Sequence, residues 1–243
     1  MPDPIQALLN LLYPPSCPLC RRPHTSWPRS EILCEECSGK LKSVEHPYCP
    51  QCGFPFQSEA GEDHLCGRCL SEKRYFSRAR SAVVYGDAAG ELVSRFKFGG
   101  DLRLATFISA LMQKTVEDLV DGSGHDLLVP VPLHKQRLRF RGYNQSLILG
   151  KKISRRCGIP INRWSLVRIR DTPPQLGLPL AKRRKNVRGA FSVSRPDQIK
   201  GKNVLLIDDV FTTGSTVSEC SRVLIKAGAS KVDVVTLAHV TQS

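Results

Sequence analysis

The chain has 243 residues, 41% of them hydrophobic, and a formal net charge of +14. That length can bury a substantial core, either in one large domain or in a large domain with a small appendage. No apolar run approaches the roughly 20 residues that span a bilayer, and an acidic, proline-containing start does not match a secretory signal. We therefore expect a cytoplasmic protein without a membrane span, in which residues 5–12 form a short helix packed on the protein itself.

The positive charge is concentrated in one segment. Residues 1–75 carry 8 basic and 9 acidic side chains, whereas residues 134–188 carry 16 Lys or Arg and a single acid, Asp171. A surplus of this size in one segment predicts a polyanionic partner such as phosphate, pyrophosphate or nucleic acid.

The cysteine-rich start of the chain contains four CxxC pairs, and the second two repeat the first two at a spacing of 32 residues. Two CxxC turns supply the tetrahedral thiolate set that zinc accepts, whereas a reducing cytoplasm and the regular pairing count against disulfides. Because every ligand would be a thiolate, no position is left open for catalytic water, and we predict two structural zinc ions. The predicted ligands are Cys17, Cys20, Cys34, Cys37, Cys49, Cys52, Cys66 and Cys69.

The pairing of these cysteines has two possible forms. The duplication favours sequential ribbons, with the first four cysteines on one zinc and the last four on the other, since each repeat could then fold as a unit. Interleaved pairing would use the same spacings. In either form, we place the N-terminal helix and double zinc ribbon at residues 1–75 and a second domain at residues 76–243.

The second domain alternates strand and helix patterns, which predicts an α/β fold with a mostly parallel sheet flanked by helices. In chain order the predicted elements are strand RSAVVYG (80–86), helix 105–119, strand DLLVPVP (126–132), helix 143–157, strand NVLLI (203–207), helix 216–227 and strand KVDVVTL (231–237). Ligands of such sheets bind at the carboxyl ends of the strands.

One strand ends in the sequence LLIDDVFTTGST (205–216), which combines two acids with a loop of small hydroxylated residues. A glycine turn followed by a helix presents inward-facing N–H groups and hydroxyl donors to a phosphomonoester. The two acids would repel that phosphate, so they should face vicinal ribose hydroxyls of the same ligand, either directly or through Mg²⁺. The predicted residues are Asp208 and Asp209 for ribose and Mg²⁺, and Thr212, Thr213, Gly214, Ser215 and Thr216 for phosphate.

This stretch resembles the phosphoribosyl pyrophosphate (PRPP) loop of type I phosphoribosyltransferases. Together with VPVPLHKQRLRFRGYNQ, RDTPPQLGL, KRRKNVRGAF and the CxxC pairs, the chain resembles the ComF family over nearly its whole length. The resemblance implies a type I phosphoribosyltransferase-like domain behind the ribbons. It also implies a mobile loop at residues 170–191 and pyrophosphate contacts from Val131, Pro132, Arg137, Arg141, Asn144 and Arg188.

Such a site would support displacement of pyrophosphate at ribose C1 by a nitrogen nucleophile, with Mg²⁺ and basic side chains stabilising the leaving group. Some relatives place an aspartate general base where this chain has Thr212. The resemblance therefore supports PRPP binding more strongly than transfer, and we assign no catalytic residue.

The basic segment predicts a second ligand, because one small molecule does not need sixteen cations. Arginines interleaved with aromatic residues are expected for single-stranded nucleic acid, although a solvated basic face or loops charged only for PRPP remain alternatives. The predicted nucleic-acid residues are Lys135, Arg137, Arg139, Phe140, Arg141, Tyr143, Lys182, Arg183, Arg184 and Lys185.

The family's association with natural transformation favours DNA as this second ligand. We expect a PRPP-binding protein of DNA uptake that binds incoming single-stranded DNA, with a helicase or another competence protein as partner. The alternatives are an active transferase that does not bind DNA, or a scaffold that docks proteins through its ribbons.

Overall fold

A computed structural model describes residues 16–23, 33–57, 61–120, 124–172 and 180–241 of the chain, without the side chains of residues 180–183. The predicted N-terminal helix, residues 5–12, lies outside these ranges. Within the described ranges, no helix combines the length and apolarity needed to cross a membrane.

From residue 79 onward the described strands are separated by one or two helices, except that only a 3₁₀ turn separates the fourth strand from the fifth. In chain order they are α1 (Glu35–Gly39), α2 (Gly67–Ser71), β1 (Ala79–Val84), α3 (Asp87–Phe98), α4 (Leu104–Val120), β2 (Leu127–Pro130), α5 (Lys135–Arg141), α6 (Gln145–Cys157), β3 (Leu166–Arg168), α7 (Leu180–Val187), β4 (Phe191–Val193), β5 (Asn203–Phe211), α8 (Ser215–Lys226) and β6 (Lys231–His239), with a 3₁₀ turn at Pro196–Gln198.

Four strands form a parallel sheet in the order β1-β6-β5-β2, and β3 pairs with β4 as a separate antiparallel ladder. In the central strand β5, alternate side chains enter two cores on opposite faces. Leu205 and Ile207 pack on one face, and Val204 and Leu206 on the other. Successive side chains of a strand point to opposite faces, so an unbroken apolar run is what a sheet covered on both faces requires.

Helices α3, α4 and α6 cover the first face of the sheet. On the second face, α8 and the β3–β4 ladder are joined by the second half of the cysteine-rich segment, because Cys49, Cys52 and Phe76 belong to the same core as Val204 and Val234. The second ribbon thus occupies part of a sheet face that helices usually cover in such folds.

Backbone hydrogen bonds attach the ribbons to the edge of the sheet. The Val44 N–H donates to the Ala82 carbonyl at 3.1 Å, and the Val84 N–H donates to the Lys42 carbonyl at 2.7 Å. The Ala79 N–H donates to the Gln51 carbonyl at 2.7 Å. These bonds satisfy the open side of β1, which would otherwise be an exposed edge.

Every strand and helix predicted in the second domain is present, with differences at the boundaries. Strand β5 runs to Phe211 instead of ending at Ile207, since its ladder with β6 continues through Asp208↔Thr236 and Phe211↔His239. The helix predicted from residue 143 begins at Gln145, because the Asn144 side chain caps it by accepting a hydrogen bond from the Leu147 N–H at 3.2 Å.

Several elements were missed by the sequence interpretation. The basic stretch after β2 is helix α5, ended by Gly142 in the left-handed conformation. Part of the predicted mobile loop forms α7, and residues 173–179 of that loop lie outside the described ranges. Helix α3 and the β3–β4 ladder were also not predicted.

Candidate functional site

The eight cysteines of the CxxC pairs form two groups, one from each repeat. In each group the four Sγ atoms lie within 4.8 Å of one another. The Cys20–Cys34 and Cys52–Cys66 Sγ separations are both 3.6 Å, close to the separation of about 3.8 Å that follows from a tetrahedron with 2.3 Å zinc–sulfur bonds. The residues therefore fit two structural zinc ions, and the predicted sequential pairing is confirmed.

The two ribbons repeat each other in backbone detail. Each has a hairpin bridge, Ser16↔Pro23 and Tyr48↔Pro55, and a five-residue helix that starts after the third cysteine. The position that closes the first CxxC turn is left-handed in both, with φ 61° at Arg21 and φ 72° at Gly53. At Gly53 a Cβ would lie 2.6 Å from the Ala79 carbonyl oxygen, so only glycine fits against the sheet.

The two predicted ribose-binding acids lie near the carboxyl end of β5, where the adjacent β2 leads into α5 and α6. The Ser146 hydroxyl donates to Asp208 Oδ1 at 3.0 Å, and the Asp209 N–H donates to the same oxygen at 3.0 Å. Burial, followed by the neighbouring Asp209 charge, raises the pKa of Asp208 to about 7. This carboxyl group is therefore poised to change charge near neutral pH.

A lysine that the sequence interpretation missed balances the second acid. Lys97 Nζ, from α3, lies 2.9 Å from Asp209 Oδ1, and both side chains are largely buried. A favourable pair of this kind stabilises an ionised carboxylate inside the protein. No local signal identifies Lys97, because α3 is separated from β5 by more than a hundred residues.

The predicted phosphate loop connects β5 to α8 through a left-handed glycine. Gly214 has φ 72°, and a Cβ there would lie 2.5 Å from the Phe211 ring. The Thr213 and Ser215 hydroxyl oxygens lie 2.7 Å apart, and the Ser215 N–H points to Thr213 Oγ1 at 3.3 Å. The loop thus gathers hydroxyl groups at the N-terminus of a 12-residue helix, as an anion site requires.

A second missed residue, Arg74, connects the ribbon segment to this loop. Arg74 Nη1 donates to the Thr213 carbonyl at 3.0 Å, and Nη2 lies 3.3 Å from Glu72 Oε2. The Arg74 side chain is 5% exposed. It places a positive charge behind the phosphate loop, from a part of the chain that the sequence interpretation treated as purely structural.

The residues predicted to hold pyrophosphate are only partly brought together. Asn144 Nδ2 donates to the Val131 carbonyl at 3.0 Å, so Asn144 shapes the turn after β2 while it caps α6. Arg141 Nη1 donates to Gln145 Oε1 at 2.9 Å, and burial lowers the pKa of Arg141. Pro132, which follows Val131, is half-buried in the same turn.

Arg137 and Arg188 lie in different surroundings. Arg137 donates to the Thr172 carbonyl, and its Nε lies 3.5 Å from Asp171 Oδ1. Arg188, directly after α7, is exposed and lines a cleft together with Ser215. Arg137 does not line this cleft. The structure therefore places Arg188 near the phosphate loop and does not group it with the other candidates.

The predicted nucleic-acid residues divide into exposed and internally bonded side chains. Lys135 and Arg139 are exposed on α5, and Phe140 on the same helix is 90% exposed. Arg137 and Arg141 make the contacts given above, and the Tyr143 hydroxyl donates to the Phe96 carbonyl. Arg184 and Lys185 are exposed on α7, whereas the side chains of Lys182 and Arg183 lie outside the described residues.

Two family models match the chain. That of the double zinc ribbon domain matches residues 8–70, and that of the phosphoribosyl transferase domain matches residues 145–243. With the parallel sheet and the two cysteine groups, these matches confirm the predicted fold class, a type I phosphoribosyltransferase-like α/β domain with a small N-terminal double zinc ribbon.

Three relatives are similar to most of the chain. Competence protein F of Haemophilus influenzae is 34% identical over 213 residues, covering 85% of this chain and 90% of the relative. DNA utilization protein YhgH of Escherichia coli K12 is 33% identical, covering 69% and 74%. Competence protein ComFC of Bacillus subtilis is 31% identical, covering 65% and 62%.

Proposed function

The chain belongs to the ComF family of proteins with a double zinc ribbon and a phosphoribosyltransferase domain, and we propose that it binds PRPP and single-stranded DNA in natural competence. The observation that carries the PRPP assignment is the continuous stretch from β5 to α8. It places two acids and an anion loop around one left-handed glycine. These two features can address opposite ends of a single ribose 5-phosphate.

The loop end of the site would hold the 5-phosphate. The hydroxyls of Thr212, Thr213, Ser215 and Thr216 lie at the N-terminus of α8, whose dipole favours an anion. The positive charge of Arg74 behind the Thr213 carbonyl adds to this field. The loop is therefore suited to a dianionic phosphomonoester.

The acid end of the site would hold the ribose hydroxyls. Asp208 and Asp209 supply carboxylate oxygens, which are ligands that Mg²⁺ accepts, and bound Mg²⁺ would neutralise charge on the pyrophosphate group. Lys97 currently neutralises Asp209. We propose that ligand binding exchanges this lysine contact for ribose hydroxyls or Mg²⁺.

Transfer of the phosphoribosyl group is the second candidate function. The favourable observation is the cationic group after β2, where Arg137 and Arg141 could stabilise departing pyrophosphate. Thr212 stands where a general base would be needed. Transfer would therefore require that the acceptor lose its proton to a group other than residue 212. Binding is therefore the primary proposal, and pyrophosphate release is the measurement that would establish transfer.

The DNA assignment rests on the exposed face of α5 and on the names of the relatives, which refer to competence and DNA utilization. Exposed cations beside a 90% exposed phenylalanine combine phosphate contacts with a stacking surface. Phe98, 68% exposed, lies nearby with the Arg141 guanidinium 4.8 Å from its ring centroid. A helicase or another competence protein acting in the cytoplasm is the partner class we propose.

Calorimetry with PRPP and Mg²⁺ tests the first assignment. The double variant Asp208→Asn with Asp209→Asn should lose PRPP binding while it retains two zinc ions per chain. Exchange of Asp197, which is exposed on the 3₁₀ turn that precedes β5, for Asn is the control and should leave binding unchanged. PRPP binding that survives the double variant would remove the ribose assignment.

Fluorescence anisotropy with a labelled single-stranded oligonucleotide tests the second assignment. Lys135→Ala with Arg139→Ala should reduce the salt slope of binding by about 1.4, since each phosphate contact to a single strand contributes about 0.7. Arg155→Ala with Arg156→Ala removes the same charge from the exposed end of α6 and serves as control. Equal slopes for the two variants would contradict a DNA surface on α5.

Incubation of the full chain with labelled PRPP, Mg²⁺ and mixtures of DNA or bases distinguishes the remaining alternatives. Pyrophosphate release without oligonucleotide binding would favour an active transferase. Capture of protein partners by the isolated ribbon segment, with neither ligand bound by the full chain, would favour a scaffold.

A further inference from the structure

A cleft lies between the second ribbon and the phosphoribosyltransferase domain, and it joins ribbon residues that no prediction included to Arg184, Lys185, Arg188 and Ser215 of the predicted sets. Its walls are residues 68–75, α7 with Arg188, and the first turns of α8, and we refer to it as the ribbon cleft. It consists of two adjoining cavities of 470 Å³ and 380 Å³, both bordered by Ser215 of the phosphate loop. Each volume is that of a ligand-sized site.

Cations dominate both cavities. The larger is lined by five Lys or Arg side chains and two acids, and the smaller by five and one. The acids are already paired, because Glu219 lies 2.8 Å from Arg222, and Glu72 lies 3.3 Å from Arg74. The ribbon cleft therefore has a positive surplus that is not balanced by its own acids. Its Lys and Arg side chains are Arg68, Lys73, Arg74, Arg184, Lys185, Arg188 and Arg222.

One buried nitrogen in this wall, Arg74 Nε, has no hydrogen-bond acceptor among the described residues. Arg74 is 5% exposed and lines both cavities. A buried guanidinium nitrogen without an acceptor is costly unless an external group supplies one. Together with the charge surplus, this points to an anionic ligand.

The shape of the ribbon cleft favours a chain of phosphates over a single one. The two cavities share Glu72, Arg74, Arg184, Arg188 and Ser215, so they form a continuous path past the phosphate loop. Tyr75 lines the larger cavity and is 37% exposed, with Lys73 Nζ 5.5 Å from its ring centroid. A basic path with an accessible aromatic ring is suited to single-stranded nucleic acid.

We propose that the ribbon cleft binds the phosphate backbone of single-stranded DNA, so that the second zinc ribbon is part of the nucleic-acid surface and not only a structural unit. This inference rests on the proposed DNA-binding function and adds a location to it. DNA in the ribbon cleft passes directly beside the 5-phosphate loop, which places it next to bound PRPP.

The test compares two variants of equal charge by anisotropy of a labelled oligothymidine over a series of salt concentrations. Arg68→Ala with Lys73→Ala changes the ribbon wall, and Arg155→Ala with Arg156→Ala is the control. The ribbon variant should lower the salt slope by about 1.4 and weaken binding, whereas the control should leave the slope unchanged. PRPP binding, measured in parallel by calorimetry, should be unaffected in both variants.

Each alternative outcome has a distinct meaning. If the ribbon variant has the same salt slope as the control while the chain still binds DNA through α5, the proposal for the ribbon cleft is overturned and the proposed function stays intact. Weaker PRPP binding with unchanged DNA binding also overturns it, because the cleft would then belong to the small-ligand site. No DNA binding by the unaltered chain removes both the cleft and the DNA part of the proposed function.

A measurement of zinc content checks that the ribbon variant is still folded. If the ribbon variant retains fewer than two zinc ions per chain, Arg184→Ala with Lys185→Ala on the opposite wall replaces it. Both side chains are exposed and remote from the cysteine ligands in sequence. A reduced salt slope in this variant supports the cleft, and a slope equal to that of the control overturns it.

Discussion

Replacing Asp208 by Asn should stabilise the protein at pH 8 while it abolishes PRPP binding. Asp208 lies next to Asp209 in a buried strand end, and these surroundings raise its pKa to about 7. Asn can keep both hydrogen bonds, because the Ser146 hydroxyl and the Asp209 N–H donate to a single oxygen of the side chain. The substitution therefore removes a charge while the two donors that face this side chain keep their acceptor.

The magnitude follows from the difference in pKa between the folded and unfolded states. Between about pH 4 and pH 7 the unfolded chain has lost the Asp208 proton while the folded chain retains it, so the wild-type stability falls as the pH rises. A shift from 3.8 to about 7 sets a ceiling of about 4 kcal/mol at 1.36 kcal/mol per pKa unit. Residual solvent contact of Asp208 reduces this, and we expect a gain of about 1 to 3 kcal/mol at pH 8.

Chemical denaturation of the zinc-loaded protein at pH 5 and pH 8 measures this effect. The difference in unfolding free energy between Asp208→Asn and the wild type should be larger at pH 8 than at pH 5, since Asn does not ionise. Asp197→Asn on the exposed 3₁₀ turn should show no such difference. A variant that is less stable than the wild type at pH 8, or a gain that does not depend on pH, would refute the argument.

Three further changes test the loop and the ribbons. Gly214→Ala should destabilise the fold by at least about 1–2 kcal/mol, the cost of a left-handed non-glycine residue, and calorimetry should show weakened PRPP binding. Gly53→Ala should cost about 1–3 kcal/mol in denaturant unfolding, whereas Arg21→Gly at the equivalent position should change stability by less than about 1 kcal/mol, because relief of strain offsets the added unfolded-state entropy. Cys49→Ser and Cys17→Ser should each lower the zinc content to one per chain, but only Cys49→Ser should weaken PRPP binding; equal PRPP affinities would contradict a link between the second ribbon and the loop.

The sequence predicted the parts of the structure that depend on local patterns. Thiolate spacing identified both metal groups, and apolar runs identified all four strands of the sheet. The strand, turn and helix around the predicted acids and phosphate loop were also identified locally, since they follow one another within twelve residues. In each of these cases the chemistry and the geometry lie in one short segment.

Contacts between distant segments could not be found in this way. Lys97 reaches Asp209, and Arg74 reaches Thr213, across more than a hundred residues. Nothing in the sequence near Arg74 distinguishes it from the other basic residues that follow the ribbons. The helical form of α5 was missed for a different reason, because the family resemblance suggested a loop and the helix-forming residues of this segment were given less weight.

Packing contacts connect the second ribbon to the phosphate loop, and they matter for the alternative in which the ribbons only dock partners. Phe54 of the second ribbon contacts His239 with ring centroids 5.8 Å apart, and His239 stacks on Phe211 at 4.7 Å. Phe211 is the last residue of β5, directly before the loop, and Arg74 holds the loop from the ribbon side. Close-packed contacts of this kind transmit displacements, so a change in the second ribbon reaches the phosphate loop by two routes.

The first ribbon has a different relation to the site. Its buried residues, Cys17, Leu33 and Cys37, pack with Phe107 of α4 on the opposite side of the sheet from the second ribbon. A module that only docks partners has no need for contacts to the phosphate loop, and the first ribbon meets that description better than the second. If a competence protein docks on a zinc ribbon of this chain, we expect it at the first ribbon, while the second ribbon supports the ligand site.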